Sequence, residues 1–125
     1  MKPNLYISTG SLIVNLMIAD GQGRIETDRL FELGRFMQKR LREKGAWKTF
    51  GCVFLDMRTQ TVNAAMRYLG DHFTQTNGAI HEKRSVPKDL VKVYELEPVV
   101  AEVFDEFLEA TPVQHHFTSL KPSLI

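Results

Sequence analysis

The sequence predicts a single α+β domain, with an antiparallel or mixed sheet of about four to six strands packed against two or three helices, in the rough order β-β-α-β-β-β-β-α. Three observations carry that expectation. Short aliphatic and aromatic runs are separated by glycine-containing turns, as in "SLIVNLMIA" before "DGQGR", and "HFTQT" before "NG". Two longer stretches, Thr27–Lys44 and Pro98–Ala110, repeat apolar residues at helical spacing. The chain has 125 residues, enough for one core and too few for two comfortable ones, and it holds no internal repeat or low-complexity linker.

Taken in order, Ser11 to Ala19 is aliphatic and β-branched, which favours a first strand. Asp20-Gly21 and Gly23 supply the positive-φ positions of a tight reversal, and "RIET" returns as a short second strand. Thr27 can cap the helix that follows. Its stripe is Leu30, Leu33, Gly34, Met37 and Leu41, widened by Phe31 and Phe36, and Gly45 is placed to stop it. "WKTFGCVFLDM" reads as a buried strand. The next piece supports two readings. Val62, Met66, Leu69 and Phe73 sit at helical spacing, yet Val62, Ala64, Met66 and Tyr68 also alternate behind the turn-like "DMRTQT". The hairpin is preferred by a narrow margin. Asn77-Gly78 then marks a further hairpin, "KDLVKVYEL" turns helical or extended, and Pro98 opens the last helix. The tail "VQHHFTSL" can add an edge strand before Pro122.

A composition of 43% hydrophobic and 25% charged residues is that of a soluble globular chain and disfavours disorder and coiled coil. The longest apolar run is broken by Asn15 and spans about half of what a membrane helix needs. It also lacks a signal-type cleavage site, so a cytoplasmic protein with no membrane partner is expected. The single cysteine, Cys52, cannot close an internal disulfide, and its apolar neighbours suggest a core thiol. "DGQGRI" looks like the centre of an EF-hand loop, but Ile18 and Arg29 stand where the end ligands belong, and a turn is preferred to a calcium site. No phosphate-binding loop, nucleophile signature or cofactor motif is present, and no metal site or cofactor is expected.

Charge is distributed unevenly behind a net of +1. Residues 1–50 hold nine Lys/Arg against five Asp/Glu, and residues 89–125 hold two against seven. Such a contrast favours packing of the two segments on each other, or head-to-tail contact between copies. With no catalytic constellation in view, the leading expectation is an interaction or regulatory module that self-associates as a dimer, with another protein as an alternative partner.

Two further readings compete. The first helix places Arg35, Lys39 and Arg42 on one face, with Arg40, Lys44 and Lys48 nearby and Trp47 as a stacking group, a pattern suited to nucleic acid. Asp28, Glu32 and Glu43 are interleaved there, however, so an ordinary solvated face is the simpler account. The third reading is an enzyme or ligand binder on the second hairpin. If Asn77-Gly78 is a two-residue turn, Thr74 faces His81 and His72 faces Lys83. His72, Thr74, Thr76, His81 and Lys83 then share one face of the ribbon. The histidines would move protons, Lys83 and Thr74 would hold an anionic group, and Asp56 at a strand end is the best lone carboxylate. Two histidines fall short of a zinc set; Asp71 could add a ligand, but Glu82 lies on the wrong face. A solvated ribbon face is again the simpler account. Finally, Glu102, Asp105, Glu106 and Glu109 line the side of the last helix opposite its apolar residues. Opposite an apolar face they should simply be wet, and the one functional use kept for them is a basic partner surface, which the first helix could supply.

Overall fold

The most apolar run of the chain folds as a helix, not as the expected strand. In the computed structural model, which describes residues 7–45 and 59–112, helix α1 spans Thr9–Asp20. Ser8 caps it, its Oγ accepting the Ser11 N–H at 3.0 Å, and Gly21 at φ 66° closes it by donating to the Met17 carbonyl. Leu12, Ile13, Val14, Leu16 and Met17 are all at most 2% exposed. A helix buried on nearly every side has no polar face to mark its period, so the run reads equally well as a buried strand. The β-branched residues tipped the sequence reading the wrong way.

Strand β1 (Arg24–Glu26) follows and runs straight into α2 (Thr27–Glu43). Then come α3 (Thr59–Leu69), β2 (Phe73–Thr76), β3 (Ala79–Glu82), α4 (Lys88–Val93) and α5 (Pro98–Ala110). Among the described residues there are therefore five helices and one three-stranded antiparallel sheet, in the order β1-β3-β2. The expected sheet of four to six strands is corrected on two counts: both Ser11–Ala19 and the segment after Thr59 are helical. With α1 helical, β1 has no neighbour there and pairs instead with β3, Ile25 opposite Ile80. In α3 the helical stripe wins over the alternation. Val62 and Leu69 are buried while Ala64 and Tyr68 are exposed, which no strand with those residues on one face allows. "WKTFGCVFLDM", with Cys52, and the tail "VQHHFTSL" lie outside the described residues.

The core forms where these elements meet. The α2 stripe of Leu30, Leu33, Met37 and Leu41 packs with α1, with Ile25, Phe73 and Ile80 of the sheet, and with Val100, Val103, Phe104 and Phe107 of α5. Phe36 and Phe107 meet edge to face at 5.6 Å. No helix of the described residues is long and apolar enough to cross a membrane.

One ion pair joins three of these elements. The Arg29 guanidinium clamps both oxygens of Asp20, at 2.7 and 2.9 Å, and donates to the Thr111 carbonyl beyond α5. It also lies over the Phe107 ring, 5.1 Å from the centroid. Only 2% of the Asp20 side chain and 12% of that of Arg29 is exposed. Removing one partner leaves an uncompensated buried charge. Asp20→Ala is therefore expected to cost on the order of 3 kcal/mol in urea unfolding, with Asp20→Leu/Arg29→Met losing less than that single change. A single variant as stable as the wild type would show that the pair carries no such constraint.

Candidate nucleic-acid interface

The β2–β3 hairpin has the register that the Asn77-Gly78 turn implies, with Thr76 opposite Ala79 and Thr74 opposite His81. Gly78 sits at φ 89°, and its carbonyl accepts the Thr27 N–H, tying the turn to the start of α2. Phe73 and Ile80 point into the core, and Thr74 and His81 lie on the other side. The candidate side chains make their described contacts with different partners. His81 turns its Nε2 toward Thr76 Oγ1, 3.0 Å away, at the turn end of the ribbon. His72 stands at the far end, edge-on to Phe73, with its Nδ1 buried and unpartnered among the described residues. Lys83 donates its Nζ to the Gly70 carbonyl at 2.7 Å, and its backbone N–H pairs with His72. Glu82 accepts the Val86 N–H instead of joining the histidines, and Asp71 is exposed. No group of three metal-binding side chains occurs among the described residues, and Asp56 lies outside them.

A different surface stands beside this ribbon. Val62 and Leu69 anchor α3 in the core, with Ala65 and Met66 packed against it. Asn63, Ala64, Arg67 and Tyr68 are left pointing outward, and Tyr68 is 82% exposed. From Thr59 to Gly70 the sequence contains no Asp or Glu, and the first turn of α3 carries Thr59, Gln60 and Thr61. Three residues, Gly70 to His72, separate α3 from β2, and the His72 N–H is bonded to the Leu69 carbonyl, so helix and ribbon are held side by side. Beyond β3 lie the exposed Lys83, Arg84 and Lys88. No described residue forms an ion pair with Arg67 or Arg84. The sequence reading missed this face because it preferred a hairpin here. The signal was the stripe Val62, Met66, Leu69 and Phe73.

The basic face expected on α2 is partly taken up. Arg40 Nε meets Glu106 at 2.7 Å and Arg40 Nη1 meets Glu43 at 3.0 Å; Lys44 meets Glu102 at 2.8 Å and Glu106 at 3.6 Å. Two acids of the α5 stripe, Glu102 and Glu106, thus find basic partners on α2 of the same chain. Arg35, Lys39 and Arg42 are exposed, while Trp47 and Lys48 lie outside the described residues. The hydrogen bond from Arg40 holds the Glu106 carboxyl below its ordinary value of 4.5, and the bond to Glu102 raises Lys44. A depressed carboxylate stabilises the fold above its unfolded value, and the benefit is lost as pH falls through the lower folded value. Lys44 is the mirror case, its contribution full below its unfolded value and lost as pH rises through the raised folded value. Glu106→Gln should therefore lower the urea midpoint at pH 7. The gap to wild type should narrow in about 0.5 M NaCl and close as the pH falls well below 4.5. A gap that persisted in acid would assign the loss to packing. No protein-family model, curated protein or solved structure matches the chain, so its function is argued from the chemistry of these surfaces.

Proposed function

We propose that the protein binds duplex DNA, with α3 in the major groove and the β2–β3 ribbon along the neighbouring backbone. The observation that carries this reading is the acid-free, outward face of α3 held beside the ribbon. The major groove admits an α-helix, and Asn, Gln, Thr and Arg are the side chains that bond to base edges and phosphates. Arg84 and Lys88 follow the ribbon and supply phosphate contacts, the part of such an interface that dominates affinity.

The reading moves the nucleic-acid surface off α2, where α5 neutralises Arg40 and Lys44. Two other expectations stand beside it as alternatives. Arg40 and Lys44 take up Glu102 and Glu106 inside one chain, and the described contacts of His72 and His81 go to different partners. Fluorescence anisotropy with a random 20-bp duplex (about two turns of DNA) is the direct test. Binding is expected at low salt, falling steeply between about 50 and 200 mM NaCl. Arg67→Glu with Arg84→Glu should weaken it at least about tenfold, and Lys39→Glu on α2 should change it little. A flat titration would remove the proposal; loss with Lys39→Glu alone would return the surface to α2.

A further inference from the structure

Resting on that reading, we infer that α3 recognises two base pairs two steps apart, an adenine through Asn63 and a guanine through Arg67. The two side chains are exposed and stand four residues apart, so they share one face of the helix. Four residues of helix rise about 6 Å, and base pairs stack about 3.4 Å apart, so the two groups span roughly two base-pair steps. Their chemistry separates the bases. The Asn63 carboxamide has an acceptor and a donor that match adenine N6 and N7. The Arg67 guanidinium presents a planar fork that matches guanine O6 and N7. Arg67 has no acid on its own helix to occupy that fork, and no described residue forms an ion pair with it.

The neighbours support the same division. Ala64, beside Asn63, offers only a methyl group, which lets the helix approach closely and suits contact with a thymine methyl. Val62 and Leu69, each 1% exposed, fix the helix about its own axis, so the face presented is set before any ligand arrives. Asn63 and Arg67 are exposed and are not members of the core cluster, so replacing them is expected to leave the fold intact.

The test is selection of bound sequences from a randomised duplex pool, run with the full chain as wild type, Asn63→Ala and Arg67→Lys. The wild type should enrich an A·T pair and a G·C pair two steps apart. Asn63→Ala should flatten the preference at the adenine position by about fivefold or more and leave the guanine intact. Arg67→Lys keeps the charge but loses the fork, so it should flatten the guanine position while retaining affinity. Thermal melts of both variants should match the wild type. If duplex is retained without base preference, or if neither variant alters the enriched motif, this inference is overturned while DNA binding stands. If no duplex is retained at any salt, the binding reading has failed, and this inference fails with it.

Discussion

The buried clamp between Arg29 and Asp20 ties together the ends of three helices. Asp20 is the last residue of α1, Arg29 lies in the first turn of α2, and Thr111 follows α5. The clamp therefore sets the angle at which α2 leaves α1 and brings the end of α5 to the same point. Between the two helices runs β1, three residues long and unable to choose its position alone. Its pairing with β3 inherits the geometry of that joint, and the hairpin inherits it in turn. A buried ion pair adds little net stability over a well-packed apolar contact, but losing one partner leaves the other charge buried and unpaired. Here that cost falls on the joint between three helices.

How much of this was legible in the sequence depends on whether an element shows two kinds of face. Helix α2 does: its stripe of Leu30, Leu33, Gly34, Met37 and Leu41 is buried as the spacing implied. Helix α5 likewise shows Val100, Val103, Phe104 and Phe107 opposite its acids. The hairpin register was legible residue by residue, because Asn77-Gly78 admits a two-residue turn and the turn dictates the pairs. Helix α1 was not, since it is surrounded by core and has no polar face. Helix α3 failed for another reason. Its stripe coincides with an alternating pattern, and the strand reading placed Asn63 and Arg67 on one side and Ala64 and Tyr68 on the other. The helical face that now carries the proposal could not be seen until the element type was right.

The charge pattern shows the same limit at the tertiary level. The excess of basic residues near the start and of acidic ones near the end was visible, but whether they would meet within a chain or between chains was a matter of topology. For Arg40, Lys44, Glu102 and Glu106 the contacts are made within the chain. Net charge is a poor guide to surface chemistry once such pairs are removed. The exposed cations that follow α3 and the ribbon lie in a stretch with few acids, and a local field is felt by a polyanion within about a Debye length whatever the average.

An eleven-residue helix is marginal in water on its own, and α3 is held helical by packing on one side only. Val62, Leu69 and the adjoining Phe73 supply that packing, and β2 follows after three residues, so neither the axis nor the rotation of the helix is left free. A surface fixed in this way loses little conformational entropy when a ligand is bound, and that favours selective recognition over loose electrostatic contact. The half of α3 that faces the core therefore determines how sharply the outer half can discriminate. A helix held by Val62, Ala65, Met66 and Leu69, with amide, guanidinium and methyl groups opposite, is ordered by its own domain and leaves that outer face exposed.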